Sequence, residues 1–212
     1  MTVDAPGRLP RGRHGLSRDE VRRSQRDRLM LALAEAMAEQ GYVGTSVADV
    51  ITRAGVSRET FYQQFDSKLD CFLAAFDAAA DLLFAPLTGP LGPVAGTDPP
   101  LGDAARLARF DELLGTYLAG LAAQPAFARL FLVEVYAAGP EAIARRVALQ
   151  ATIADAIAAL LDVTTEPGRF ACQALVAATS ALVTAPLVAG DLDALPALRA
   201  PLVDLLARSA LR

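Results

Sequence analysis

The chain has 212 residues, of which 53% are hydrophobic, and a formal net charge of −4. This length and composition suffice for two modest helical domains with buried cores. The acidic balance excludes a protein that coats nucleic acid over its whole surface. His14, the single histidine, is expected to lie in a flexible arm rich in proline and glycine, which argues against a Ser-His-Asp triad, and one histidine does not make a histidine metal site.

The other residue types show no catalytic pattern either; carboxylate catalysis stays open, but nothing in the sequence pairs the candidate carboxylates. Cys71 and Cys172 are too few for a disulfide framework and too far apart for a zinc site, so we expect two buried, reduced thiols. No glycine-rich phosphate loop follows a strand. We therefore expect no enzyme, no metal and no cofactor, and a cytoplasmic location.

The first element in chain order is a basic arm. Residues 8–28 carry eight arginines against three acidic side chains, a net of +5, so the rest of the chain sums to −9. A basic segment beside a DNA-reading helix provides the electrostatic attraction that such a reader needs. Prolines and glycines resist regular structure here, and two roles stay open. The arm is either solvated and disordered, or its Arg8, Arg11 and Arg13 contact DNA.

Three capping patterns follow, each with a serine at the cap and an acidic residue three positions later. They are Ser17 with Glu20, Ser46 with Asp49, and Ser67 with Asp70. With the apolar periodicity, they predict helices near residues 18–40, 46–53, 58–65 and 68–85. Alanine and leucine dominate, and runs of β-branched residues are missing, so the whole chain is predicted to be all-α.

Residues 57–65 predict the second helix of a helix-turn-helix. Gly55 supplies the backbone freedom of a tight turn between helices, and Ser57 can cap the next helix. Phe61 and Phe65 share an inward face. The other faces then offer hydrogen-bonding groups to DNA. Considered alone, this window also fits a short amphipathic helix with a solvated polar side.

A larger set of residues resembles a known family. It consists of residues 45–51, residues 54–57, residues 60–62, Phe65, and Ser67 with Lys68. In these positions the chain looks like the TetR family of bacterial repressors, over roughly residues 22–76. The resemblance implies a three-helix DNA-binding domain followed by a larger helical domain for ligand binding and dimerisation. It also implies ligand-released transcriptional repression by a cytoplasmic, nucleoid-associated protein.

On this basis we divide the chain into a flexible basic arm (1–17), a helix-turn-helix domain (18–68) and an effector-binding and dimerisation domain (69–212). A stretch rich in proline and glycine, from Pro86 to Asp103, predicts one long loop within the last. Further helices are predicted near residues 104–123, 126–138, 140–161, 168–189 and 196–211, giving about nine in all.

The expected DNA contacts divide by chemistry. Arg58 can read a guanine edge bidentately, and Gln63 or Gln64 can read adenine or hold a phosphate. By resemblance, phosphate-facing positions fall on Thr60, Tyr62 and Lys68. The amides at the start of the second helix favour an anion. The predicted DNA-binding residues are Thr45, Ser46, Ser57, Arg58, Thr60, Tyr62, Gln63, Gln64 and Lys68. The role of Glu59 stays open.

The segment from Phe170 to Gly190 has no charged residue. Its length approaches that of a membrane span, but its polar residues and Pro186 favour a helix buried on one side by its own domain and on the other by a partner subunit. The predicted dimer residues are Leu175, Ala178, Leu182, Ala185, Leu198, Leu202 and Leu205. An intramolecular core without a partner is the alternative.

Aromatic and leucine residues of the second domain can line a cavity for an apolar ligand, or can be ordinary core. The candidates are Phe110, Leu114, Tyr117, Phe131, Tyr136 and Phe170. A polar ligand group could meet Arg106, Arg109, Arg129 or Glu134, which are otherwise surface positions. We thus expect a homodimer that binds a palindromic DNA operator and is released by a small apolar molecule. The alternatives are an activator, a ligand-independent regulator, and a helical interaction protein without DNA binding.

Overall fold

The computed structural model describes residues 18–88 and 102–210, and in this part of the chain every regular element is helical. In chain order the helices are α1 (Arg18–Gly44), α2 (Val47–Ala54), α3 (Arg58–Gln64), α4 (Lys68–Thr88), α5 (Asp103–Ala123), α6 (Pro125–Arg129), α7 (Val135–Ala138), α8 (Pro140–Leu160), α9 (Glu166–Ala189) and α10 (Arg199–Ala210). A π-helical turn (Leu130–Glu134, the π turn) joins α6 to α7, and a 3-10 helix (Leu192–Leu198) precedes α10. The predicted all-α class is confirmed for these residues.

Helix α4 extends beyond its predicted end. The predicted loop begins too early, because α4 continues through Pro86 to Thr88. A proline this close to a helix end removes only one hydrogen bond of the last turn, so the helix tolerates it. The basic arm, with Ser17, Arg8, Arg11 and Arg13, lies outside the described residues, as do residues 89–101 of the predicted loop.

Local hydrogen bonds explain why α2 and α3 form where they do. Ser46 Oγ accepts from the Asp49 amide at 3.2 Å, and Asp49 Oδ2 accepts from the Ser46 amide at 2.8 Å, so the predicted capping box is confirmed. Gly55 ends α2 in the left-handed conformation, with φ 63° and ψ 40°. Ser57 Oγ then caps α3 by accepting from the Thr60 amide at 3.0 Å. These contacts fix a tight turn between two short helices.

The predicted box at the start of α4 forms only in part. Ser67 Oγ accepts from the Asp70 amide at 3.0 Å, as expected. Asp70 Oδ2, however, accepts from the Asp66 amide at 2.9 Å rather than from Ser67. The cap therefore reaches one residue further back than the sequence pattern predicts.

The inward face of α3 holds the first three helices together. Phe61 of α3 and Phe65 at its C-terminal end are buried, with ring centroids 5.8 Å apart, in the same apolar core as Leu29 and Leu33 of α1. Burial of one such side chain contributes about 1.5–3 kcal/mol. The same apolar core continues through Phe72 and into the second part of the molecule. The two domains therefore share one core.

The second domain packs α5 against α4 and α10, and packs α9 between α8 and α10. Arg199 crosses from α10 to α5, where its Nε and Nη2 donate to the two carboxylate oxygens of Asp111 at 2.5 and 2.9 Å. Its guanidinium lies against Gly115, where a Cβ would come within 2.8 Å of Nη1. Cys71 and Cys172 are buried free thiols, as predicted.

Helix α9 keeps an apolar surface on both of its sides. Among the described residues it is the one unbroken helix long and apolar enough to span a membrane, and 28% of its most apolar window is buried in this chain. One side packs on α8 and α10. The other side leaves Phe170, Leu182 and Val188 exposed.

Candidate DNA-binding surface and effector cavity

The outward face of α3 carries the polar side chains expected to meet DNA. Arg58, Tyr62 and Gln63 are exposed, and Gln64 is half-buried. The Arg58 guanidinium carbon lies 5.7 Å from the centroid of the Tyr62 ring, so the two side chains form one surface. Because Phe61 and Phe65 face inward, this helix presents a bare aromatic ring and a cation to solvent.

Glu59 and Ser57 have partners within α3. Gln63 Nε2 donates to Glu59 Oε1 at 3.2 Å, one turn apart, so Glu59 orients a residue that was expected to contact DNA. The hydroxyls of Ser57 and Thr60 lie 2.9 Å apart beside the cap. Ser46 is exposed at the start of α2, where its hydroxyl donates to Asp49 Oδ2 at 2.6 Å.

The expected contact between the Thr45 side chain and DNA is corrected by the structure. Thr45 is only 1% exposed, and its Oγ1 donates to the Gly41 carbonyl at 2.8 Å. Its amide also donates to the Gly41 carbonyl, at 3.1 Å. The reason is the break in α1 near Gly41, which leaves carbonyls that need donors. The sequence predicts the end of the first helix near Gly41, where the helix is indeed interrupted, but it does not show that Thr45 turns inward there.

Lys68 stabilises the same junction. Its Nζ donates to the carbonyls of Tyr42 and Thr45, both at 2.8 Å, and lies 4.1 Å from the centroid of the Tyr42 ring. Burial lowers the pKa of this ammonium. Two of its three hydrogens are therefore committed to holding α4 against the end of α1. The phosphate contact inferred from resemblance stays a prediction for the remaining hydrogen.

A basic patch beside α3 was not predicted as part of the DNA-contact set. A concave site is lined by three arginines and one acidic residue of α1, Arg22, Arg23, Arg26 and Asp19, together with Gln63 and Gln64. Arg26 Nη1 donates to the Gln64 carbonyl at 2.8 Å, and its guanidinium carbon lies 4.3 Å from the centroid of the Phe65 ring. The sequence showed the basic segment, but only the packing of α1 on α3 places Arg22 and Arg23 next to the glutamines.

The second domain holds a partly open cavity of about 220 Å³, lined by residues of α4, α5, α8, α9 and the π turn. Its lining is mostly apolar. Four of the six predicted ligand residues line it, namely Phe110, Leu114, Tyr117 and Phe131. Further apolar lining comes from Phe84, Leu113, Leu149, Ile153, Ala156, Ile157, Leu160, Leu175 and Val176.

Two predicted ligand residues lie elsewhere. Tyr136 is 59% exposed and Phe170 is 69% exposed, and neither lines the cavity. Helical spacing alone does not decide which aromatic residues of two neighbouring helices face inward, because that depends on how each helix is rotated in the bundle. The predicted polar residues are also absent from the lining, since Arg106 pairs with Asp162 at 3.0 Å and Arg129 approaches Glu134 at 4.0 Å.

Polar residues that the sequence reasoning missed form one part of the cavity wall. They are Arg146, Gln150, Thr152, Thr179 and Ser180. Arg146 is 5% exposed, and its Nη1 donates to the Phe131 carbonyl at 3.0 Å. Gln150 Nε2 donates to Ser180 Oγ at 3.1 Å. In the sequence, this polar part of the wall was indicated by the spacing of Arg146 and Gln150, which lie one turn apart within the apolar stripe of α8.

The π turn also contacts the first helix. Glu134, its last residue, is buried, and its Oε2 accepts from the Tyr42 amide of α1 at 2.7 Å. That amide is free because Gly41, with φ 73° and ψ 168°, interrupts the helix. Phe131, three residues earlier, lines the cavity. One turn of the second domain therefore touches both the cavity and the end of α1.

The predicted dimer residues divide into two groups. Leu182, Ala185 and Leu205 are exposed on α9 and α10, whereas Ala178 and Leu198 are half-buried. Leu175 and Leu202 are buried in the core of this chain, because their helices turn these positions toward α8 and α5 rather than outward. These two are corrected as direct dimer contacts.

One segment of the chain matches a known protein family. Residues 29–75 match the model of the bacterial regulatory proteins of the tetR family. Over 68 residues the chain is 37% identical to the HTH-type transcriptional activator FasR of Mycolicibacterium smegmatis, a match that spans 32% of this chain and 29% of that relative.

Solved structures share the fold over most of the chain. The fatty acid degradation regulator FadR from Bacillus halodurans superposes with a TM-score of 0.70 at 20% identity, covering 86% of this chain and 94% of that one. FadR from Bacillus subtilis, in complex with stearoyl-CoA, gives 0.67 at 16% identity, covering 88% and 99%. A TetR-like regulator from Rhodococcus sp. RHA1 gives 0.65 at 20% identity, covering 91% and 97%. Residues 29–75, which include the exposed face of α3, therefore match the tetR family of bacterial regulatory proteins, and most of the chain shares the fold of solved regulators.

Proposed function

We propose that this protein binds a palindromic DNA operator as a homodimer, represses transcription there, and leaves the operator when a small, largely apolar molecule occupies the cavity. The feature that supports this most is the π turn, because it contacts the cavity through Phe131 and α1 through Glu134. A regulator needs such an element, since a ligand acts only through a structure that differs between its two states.

DNA binding follows from α3 and the basic patch. Arg58, Tyr62 and Gln63 would enter the major groove, while Arg22 and Arg23 would neutralise phosphates beside it. A single short recognition helix contacts few base pairs. Two copies that face half-sites about 34–36 Å apart would give the specificity that one lacks.

Dimerisation would use the outward side of α9 and α10. Leu182, Ala185 and Leu205 lie there, and Phe170 and Val188 extend the same apolar surface along α9. Contiguous exposed apolar surface on a folded chain commonly marks an interface. A dimer of this kind would also cover the apolar side of the uncharged helix α9 and remove it from water.

The ligand would be apolar over most of its length, because the cavity wall is apolar over most of its area. The Bacillus subtilis FadR structure contains stearoyl-CoA, and the Bacillus halodurans protein is named for fatty acid degradation. These relatives support a molecule with an acyl chain as the first class to test.

Activation is the second candidate. The relative with 37% identity in the DNA-binding region is named as an activator. In that case the same cavity and the same DNA surface would operate with the opposite effect on transcription. The position of the operator relative to the promoter would distinguish the two.

The first experiment identifies the operator. Purified protein would be incubated with fragments of the host genome, and bound fragments sequenced. We expect a palindrome, bound with an affinity that falls steeply with salt, about one unit of log–log slope for each neutralised phosphate. Binding without a shared sequence, or without salt dependence, would contradict the proposal.

The second experiment tests release. Stearoyl-CoA would be added to the complex with a labelled operator, with CoA as the control. We expect the operator affinity to fall by about 5–150-fold with stearoyl-CoA only.

The same titration with E134A tests the route of release. This variant should keep its affinity for the ligand in calorimetry but lose most of that change, because Glu134 links the π turn to α1. E141A, at an exposed carboxylate on α8, is the matched control and should respond as the native protein does. An undiminished response in E134A would show that release uses another route.

A further inference from the structure

Within the described part of the chain, Arg146 is a buried cation without a charged partner. It is 5% exposed, and its one hydrogen bond to the described part of the protein runs from Nη1 to the Phe131 carbonyl at 3.0 Å. Its guanidinium carbon lies 5.1 Å from the centroid of the Tyr136 ring. A guanidinium has five N–H donors, and burying it without an anion is costly. Among the described residues no carboxylate comes within 4.0 Å of it.

The groups around Arg146 in the cavity wall are also rich in donors. Ser180 Oγ accepts from Gln150, so its own hydrogen remains available. Tyr117 lines the same cavity, and its burial raises the pKa of the phenol although the charge of Arg146 lowers it in part. The phenol therefore keeps its proton at physiological pH and can donate. A ligand group that only accepts hydrogen bonds suits this set.

Apolar residues form the rest of the wall, and they continue from Arg146 along the same helix. Leu149, Ile153 and Ile157 follow it on α8, and Phe110 and Leu114 of α5 line the same cavity. An occupant must therefore be amphipathic, with a single accepting group and a hydrocarbon portion. Water alone would hydrate the guanidinium but would leave the apolar wall unfilled.

We propose that the effector is an aliphatic carboxylic acid that binds with its carboxylate on Arg146 and its chain against the apolar faces of α5 and α8. This inference rests on the proposed function, since it names the ligand class of the same cavity. It differs from an ester or thioester ligand, whose neutral carbonyl would not satisfy the guanidinium.

The test compares three probes of equal chain length, decanoate, 1-decanol and decanoyl-CoA, by isothermal titration calorimetry on the full chain. The native protein should bind decanoate about tenfold or more tightly than decanol, because a charged hydrogen bond is gained. R146Q should lose this preference while its affinity for decanol stays unchanged, which also shows that the cavity is intact. R146K should restore part of it. Decanoyl-CoA should bind the native protein and R146Q equally.

The matched control is R145Q. Arg145 neighbours Arg146 on α8 but pairs with Asp77 at 2.6 Å and does not line the cavity. This variant should bind all three probes as the native protein does. Three results would each overturn the carboxylate assignment. The native protein could bind decanoate and decanol with equal affinity, it could fail to bind decanoate, or only its binding of decanoyl-CoA could depend on Arg146.

Operator binding in the same samples separates this inference from the proposed function. If decanoate binds through Arg146 but leaves the operator complex intact, the carboxylate site stands and ligand-controlled release fails. If stearoyl-CoA releases the operator while decanoate shows no dependence on Arg146, release stands and the carboxylate assignment fails.

Discussion

Arg58 and Tyr62 lie one turn apart on α3, and their different chemistry predicts different losses. R58A should relax the preference at one base pair by about 1–3 kcal/mol, because a guanidinium reads guanine through two bonds. Y62F should weaken binding to all sequences by about 0.5–1.5 kcal/mol, because its hydroxyl is expected on a phosphate. Equilibrium binding to operators with single base-pair changes would measure both. Equal losses for R58A on every sequence would show that Arg58 does not read bases.

Cys71 makes stability depend on alkaline pH. Burial raises the pKa of its thiol to about 12, from an ordinary value of 9.0. The folded state therefore keeps the proton where the unfolded chain loses it, so this contribution is complete below pH 9 and is lost as pH rises toward 12. At about pH 10.5 it should reduce the free energy of unfolding by about 2 kcal/mol.

Urea unfolding at about pH 8 and about pH 10.5 would measure this loss. C71A should be less stable at both values because it leaves a cavity, but it should show a smaller fall between them. Burial also raises the pKa values of Tyr42 and Cys172, so the free energy of unfolding of C71A still falls to some extent between the two pH values. An identical fall in both proteins would assign the whole pH effect to other groups.

Single residues were predictable from sequence where their role is local. The caps at Ser46 and Ser57 and the inward faces of Phe61 and Phe65 follow from spacing along one helix. Thr45 and Arg146 were not, because their burial depends on how the surrounding helices pack. The sequence shows an arginine at position 146, but it does not show which face of α8 lines the cavity.

At the scale of elements, the break in α1 is the feature with the most specific residue requirement. Gly41 has φ 73° and ψ 168°, a region that side chains make unfavourable. G41A should therefore cost about 1–3 kcal/mol of stability and weaken the hydrogen bond between Tyr42 and Glu134. G44A is the matched control, since Gly44 has no positive φ, and it should be near neutral. Denaturant unfolding would measure the difference, and similar values would remove the backbone argument.

The positions of helices were largely predictable, whereas their irregularities were not. Predicted and observed boundaries of α5 and α8 agree within one residue, because amphipathic periodicity and terminal glycine and proline define them. The π turn and the 3-10 helix before α10 depend on packing against other helices. Their sequences carry no distinctive local signal.

At the scale of the whole molecule, the exposed side of α9 predicts the oligomeric state. L182E places a charge on the surface that we assign to the partner subunit, so it should convert a dimer to a monomer in sedimentation equilibrium. Operator affinity should fall with it, because only a pair of readers spans both half-sites. V147E, at an exposed apolar residue of α8, is the control and should remain dimeric. A dimeric L182E would place the interface elsewhere.

The π turn also sets how little motion a switch would need. It holds one more residue in its turn than an α-helix does, and successive residues of a helix point about 100° apart. If the turn tightened to α-helical geometry, the extra residue would shift along the chain and Glu134 would rotate away from Tyr42 by about that angle. The signal between the two domains would then be a rotation of side chains about the axis of one short helix, and neither domain would need to deform.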